Sequence, residues 1–146
     1  MSDIDTPQSL AAWVERVPYA RFLGVAIDLA GDEMTARLPY AERLIGNPTL
    51  PALHGGVLGA FMEITAIAQL WVLQGPGARQ PRPVGVTVQY LRSGRPKDTY
   101  ARAQVKRMGR RIANIYVEAW QDERAAPIAS LYGHFLVAPK EATGAG

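Results

Sequence analysis

From Gly55 to Leu73 the chain is apolar apart from Glu63, Thr65 and Gln69. A loop punctuated by Pro48 and Pro51 leads into this run, His54-Gly55-Gly56 opens it, and Gly75-Pro76-Gly77 closes it. Its Ala, Leu and Met content predicts a helix between those signals. Apolar side chains fall on nearly every face of that helix, so other structure has to wrap it. Leu10, Trp13, Val14 and Val17 also recur at helical spacing, predicting a first helix from Pro7 that Pro18 ends. Tyr19, Phe22 and Leu23 then form an apolar lead into Gly24.

Elsewhere the period is two. Val25, Ile27 and Leu29 alternate with Ala26, Asp28 and Ala30, and past Gly31-Asp32 a second alternation sets Met34, Ala36 and Leu38 against Glu33, Thr35 and Arg37. Two such runs across a Gly-Asp turn predict a β-hairpin. Pro39 to Leu53 reads as an ordered loop, a candidate cover for a site. Four more strands are expected after the long helix. Val84, Val86, Val88 and Tyr90 share one face of the first, and Ala101, Ala103 and Val105 point inward from the second. After a turn at Met108-Gly109-Arg110-Arg111, Ile115, Val117 and Ala119 point inward from the third, and Ile128 to Val137 is the last. An apolar helix plus about six half-buried strands predicts an α+β fold, an antiparallel sheet wrapped on one helix. The chain, 1–146, is expected to be a single domain with loose tails at 1–6 and 140–146.

The long helix would also suit a membrane span by length. Glu63 near its centre would then cost roughly 2.5–3.5 kcal/mol on insertion scales, and strand-like sequence follows, so no membrane is expected. The chain has no cysteine, which excludes disulfides, thiol catalysis and thiolate metal sites. MSDIDTPQS has neither the basic nor the apolar region of an export signal, so a cytoplasmic location is expected.

Charge adds a further feature. The net charge is +3, but Arg92 to Arg111 holds eight basic residues against one acid, Asp98, while the remaining residues hold eight basic and twelve acidic. One positive segment on an otherwise negative chain points to an anionic partner there, with Arg92, Arg95, Arg110 and Arg111 as candidates. Nucleic acid is not expected, because no stacking aromatics are interleaved with these bases.

The candidate chemistry sits in and before the long helix. A glutamate in an apolar helix is either hydrogen-bonded or functional, and burial raises its pKa toward the range of a general base. Gly55 and Gly56 supply permissive dihedrals at a helix start, where free amides and the positive dipole end can hold a developing oxyanion. His54 lies nine residues before Glu63, roughly 13 Å along the axis and half a turn round, so the two point to opposite sides. Two copies packed antiparallel about a twofold could bring the start of one helix beside the middle of the other. Gly55, Gly56, Gly59 and Ala60 are small enough for that approach. No His-x-x-x-His or Gly-x-Ser-x-Gly pattern occurs, so neither a metal site nor a serine nucleophile is expected.

His-Gly-Gly with an acidic residue nine positions after the histidine resembles the hotdog-fold acyl-CoA thioesterases, in particular their phenylacetate-pathway (PaaI-like) branch. The resemblance implies a curved sheet wrapped on the long helix and hydrolysis of an acyl-CoA to a carboxylic acid and free coenzyme A. It gives Glu63 the role of nucleophile or general base and the Gly55 amide that of polarising the thioester carbonyl, with His54 orienting the turn. The family carries asparagine six residues before the histidine and glycine three before. Pro48 and Pro51 stand there in this chain, and Asn47, seven before, is the remaining candidate. Gly56 and Thr87 are further substrate-binding candidates. The three phosphate groups of coenzyme A suit the arginines of the basic segment. A homodimer or dimer of dimers with shared sites is implied, and no cofactor beyond the coenzyme A of the substrate. The alternatives are a hotdog β-hydroxyacyl dehydratase or hydratase, which a missing upstream histidine disfavours, and a non-catalytic acyl-CoA-binding protein.

Overall fold

The computed structural model describes residues 7–31 and 33–138. The tails expected at 1–6 and 140–146, and Asp32 of the hairpin turn, lie outside the described residues. Among the described residues, three α-helices, α1 (Pro7–Arg16), α2 (Pro18–Leu23) and α3 (Gly55–Gln74), accompany eight strands. These are β1 (Ala26–Ala30), β2 (Glu33–Leu38), β3 (Ile45–Asn47), β4 (Ala52–Leu53), β5 (Arg79–Tyr90), β6 (Thr99–Met108), β7 (Ile112–Trp120) and β8 (Ala129–Ala138). Six form one sheet in the order β1-β2-β6-β7-β8-β5, every pair antiparallel, and β3-β4 is a separate two-stranded piece.

The sheet curves around α3, which packs against β2, β6, β7, β8 and β5. Alternation puts Ala113, Ile115, Val117 and Ala119 of β7 and Leu131, Phe135 and Val137 of β8 into the core, facing Leu58, Phe61, Met62 and Leu70 of α3. Each such large side chain contributes about 1.5–3 kcal/mol by leaving water. The helix is long and apolar enough to cross a bilayer, yet it is the buried core helix of a soluble fold. Thr65, fully buried, is satisfied by the Phe61 carbonyl at 2.8 Å. At the far end of α3, Trp71 donates to the Ala78 carbonyl at 2.9 Å and meets Trp13 of α1 edge-on at 5.7 Å.

Three local expectations change. The lead from Tyr19 to Gly24 is a helical turn, α2, with Pro18 at its start and Gly24 at φ 77° ending it. The loop from Pro39 to Leu53 contains a 3-10 turn (Glu42–Leu44) and the β3-β4 pair. On β5 the register slips by one residue between Pro83 and Gly85, so Val84 lies in a bulge outside the alternation, and only Val86, Val88 and Tyr90 share a face. Because β5 is the sheet edge, that face is incompletely covered: Val86 is 41% exposed and Tyr90 55%.

Candidate active site

The amino end of α3 is fixed from three sides. The His54 N–H donates to the Leu44 carbonyl at 2.9 Å, and Leu53 N–H to the Gly94 carbonyl at 2.8 Å, tying the entry to the 3-10 turn and to the loop after β5. Gly46 lies so close to His54 that a Cβ there would sit 2.8 Å from the His54 Cα. Tyr90, at the end of β5, lays its ring over the Gly55 Cα and donates its hydroxyl to the Gly55 carbonyl at 2.7 Å.

A helix start leaves four N–H groups without intrahelical partners. In α3, three are taken up locally. The His54 N–H goes to Leu44, and His54 Nδ1 accepts the Gly56 N–H at 2.9 Å. The His54 carbonyl accepts from Val57 at 3.0 Å, while Leu58 N–H, at 3.3 Å from the same carbonyl, makes the first regular helix bond. The Gly55 N–H has no acceptor among the described residues. One donor is thus left at the positive end of the helix dipole, and it is Gly55 rather than Gly56. The same bond requires His54 Nδ1 to be unprotonated, with any ring proton on Nε2.

A cavity of about 320 Å³ opens at this point, bordered by Gly55, Leu58, Tyr90, Arg92 and Gly94. Arg92 therefore stands at the same cavity as the free amide. Arg95 borders an adjoining cavity of about 280 Å³ together with Arg92, Asp122 and Glu123. Gln121 staples this loop, accepting from Arg95 N–H at 3.0 Å and donating to the Arg95 carbonyl at 2.9 Å.

Glu63 lies eight residues beyond Gly55, roughly 12 Å along the axis, and does not border that cavity. Its carboxyl has no hydrogen bond or ion pair among the described residues, and burial raises its pKa above the ordinary 4.5. It sits on the open face of α3 with Gly56, Gly59 and Ala60, each incompletely buried. Gly59 approaches Val88 and Tyr90, so this open helix face borders the open edge of the sheet.

The other candidates lie apart. Asn47 is exposed, its side-chain oxygen accepting from Thr49 N–H at 2.9 Å and Leu50 N–H at 3.4 Å. Thr87 alternates with Val86 and Val88, so it lies on the outer face of the sheet, opposite Tyr132 in register. Arg110 and Arg111 occupy the β6–β7 turn, the far end of a ten-residue strand, roughly 33 Å from Arg95. Sequence reasoning missed Tyr90 as the residue over Gly55, and the gathering of Arg79 and Arg82 with Arg110 and Arg111. Tyr90 ends a run of alternating valines, and nothing local marks its 35-residue reach back to Gly55.

An antiparallel sheet wrapped on a helix whose glycine start offers one free amide is the hotdog arrangement, and the sequence agrees with it. The Thioesterase superfamily profile matches residues 50–128, more than half of the chain, and the chain belongs to that superfamily. Among solved structures it is similar to a Chromobacterium violaceum protein at 32% identity, with a TM-score of 0.71, covering 88% of this chain and 89% of that one. A Haemophilus influenzae thioesterase shares the fold at 23% identity, with a TM-score of 0.78 and coverage of 95% and 94%. A phenylacetic acid degradation-related protein from Ralstonia eutropha does so at 19% identity, with a TM-score of 0.71 and coverage of 87% and 98%. No curated protein matches the chain significantly.

Proposed function

We propose that the protein is a cytoplasmic acyl-CoA thioesterase of the phenylacetate-pathway (PaaI-like) type, active as a homodimer or dimer of dimers. Water adds to the thioester carbonyl, the C–S bond breaks, and a carboxylic acid and the coenzyme A thiol leave. Gly55 N–H receives the carbonyl oxygen as it gains charge, a contribution of about 100–1,000-fold in rate where a single such donor has been removed elsewhere. Glu63 takes the proton of the attacking water or attacks the carbonyl itself. His54 acts through the turn: by capping Gly56 it leaves Gly55 as the free donor.

The observation that carries this reading is the one unsatisfied N–H at the start of α3, with Arg92 at the same cavity. Glu63 of the same chain lies too far along the helix to share a substrate carbon with it. An antiparallel pairing of two chains supplies the missing carboxylate, and the exposed β5 edge beside the Gly56–Ala60–Glu63 face suits such a contact. Each site then takes Gly55 from one subunit and Glu63 from the other.

The test is a panel of aromatic and medium-chain acyl-CoA substrates followed by free-thiol detection, with wild type beside Glu63→Gln. Thiol release by the wild type and its loss in the variant is the expected result. Hydrolysis of no member of the panel would overturn the proposal in favour of a non-hydrolytic acyl-CoA protein.

A further inference from the structure

The basic segment does not act as one unit in the fold. Its single acid, Asp98, accepts the Tyr40 N–H at 2.7 Å and pairs with Arg37 at 3.4 Å, while Lys97 pairs with Asp122. Arg92 and Arg95 thus share their cavity with two carboxylates, Asp122 and Glu123. The opposite end of the sheet is different. Arg110 and Arg111 of the β6–β7 turn come together with Arg79 and Arg82 at the start of β5, because β8 brings its end, Leu136 to Ala138, between those two elements.

These four arginines border a cavity of about 650 Å³ that no carboxylate lines among the described residues. None of the four guanidinium groups has a hydrogen bond or ion pair among the described residues. Four like charges around one cavity repel each other, and an anion bearing several charges turns that repulsion into attraction. Guanidinium forks match phosphate oxygens in shape as well as in charge. The side chain of Leu136, 40% exposed, offers an apolar contact beside them. A ligand with several phosphates beside an apolar-faced base, as in a nucleotide, suits such a lining.

We propose that Arg79, Arg82, Arg110 and Arg111 form the site for the phosphate-rich nucleotide end of a coenzyme A thioester. This assignment rests on the thioesterase reading for the identity of the ligand, but not for the site itself. Within one chain the cavity lies roughly 26 Å along β5 from Tyr90, counted from Arg82. Pro81 and Pro83 donate no N–H, so an open ladder starts only at Val84. Two β5 edges paired antiparallel about the exposed Val84–Val86 stretch would set Arg82 of one chain near the Val88–Tyr90 end of the other. The four arginines of one subunit would then serve the Gly55 cavity of the partner subunit.

The experiment measures binding and turnover separately. Binding of inorganic pyrophosphate and of 3′-phosphoadenosine 5′-diphosphate is followed by calorimetry on wild type, Arg82→Ala/Arg111→Ala and Arg95→Ala. Wild type is expected to bind both, the double variant at least about tenfold more weakly, and Arg95→Ala nearly as wild type. The KM for a coenzyme A thioester is expected to rise in the double variant, while that for the matching N-acetylcysteamine thioester stays put. No pyrophosphate binding by wild type, or binding unchanged in the double variant, would overturn the site. Equal KM changes on both thioesters would overturn its assignment to the substrate. Pyrophosphate binding that needs the arginines, in a protein that hydrolyses no thioester, would retain the anion site and remove the thioesterase reading.

Discussion

The Tyr90 hydroxyl donates to the Gly55 carbonyl at 2.7 Å, and its ring occupies the space a Gly55 side chain would need. A Cβ at residue 55 would come 3.2–3.3 Å from the Tyr90 ring and hydroxyl, tighter than packing normally allows. The edge strand thereby sets the position of the helix start and, with it, the aim of the free Gly55 amide. The contact joins the two structural units, sheet edge and core helix, on which the proposed chemistry depends.

Tyr90→Phe keeps the ring and removes the hydrogen bond. It is expected to lower stability by about 0.5–1.5 kcal/mol and kcat by about tenfold at most, with little change in KM. Gly55→Ala is expected to cost more in wild type than in a Tyr90→Ala background, where the ring no longer resists. A double-mutant cycle on kcat reads this coupling. Additive effects would mean that Tyr90 does not position Gly55.

His54 supports the same amide from the other side. His54→Ala removes the acceptor of the Gly56 N–H and should cost about 1 kcal/mol in stability, as loss of an N-cap does. His54→Asn retains a side-chain acceptor and should recover most of that loss, in thermal melts as in kcat. If Asn and Ala behave alike, the imidazole does something other than cap. Gly46→Ala should disturb the same turn, since its Cβ meets backbone at 2.8 Å rather than a flexible side-chain end.

Glu63 makes a prediction about pH. Burial raises its pKa above 4.5, so its charged form is disfavoured by folding. The sign follows: the neutral acid is tolerated below about 4.5, and stability relative to a neutral side chain is lost as pH rises through the raised value. Glu63→Gln should therefore melt at or above wild type at neutral pH, with the difference shrinking toward pH 4. The same shift displaces activity. As the general base must be ionised, the acid limb of the kcat/KM profile should fall at a pH above 4.5. A limb at or below 4.5 would assign it to another group.

The sequence made α3 legible because an apolar run between a His-Gly-Gly start and a Gly-Pro-Gly stop admits little else. The strands that carry Ile115, Val117 and Phe135 were legible because both neighbours of β7 and β8 are present, and alternation then reports burial directly. It failed at β5. An edge strand has one neighbour, and the bulge at Val84 breaks the count of two, so four aligned residues become three. The six residues of α2 were too short to carry a helical period. At the site, His54, Gly55 and Arg92 were found as separate signals, and their meeting follows from the Leu53–Gly94 bond. The gathering of Arg79 and Arg82 with Arg110 and Arg111 was invisible, since it depends on the strand order β7-β8-β5.

The spacing of Gly55 and Glu63 along one helix gives the last prediction, that the catalytic unit is a dimer. Two single-site variants separate the arrangements: Glu63→Ala, and Gly55→Pro, which deletes the amide donor. Proline suits the first position of a helix, and His54, at φ −65° and ψ 131°, already has the extended conformation that a residue before proline prefers. Each variant alone should be inactive. In a heterodimer with shared sites, both defects fall in one site, and the twin site has Gly55 from one chain and Glu63 from the other, both intact. Equal amounts remixed at random make about half the dimers heterodimers, each with one working site, restoring about a quarter of wild-type site activity. Circular dichroism and native mass spectrometry of the proline variant must first show a folded dimer, since the Tyr90 ring lies close to the added Cβ. If mass then confirms subunit exchange and activity stays at zero, each site uses the Gly55 and Glu63 of one chain, and the shared arrangement is wrong.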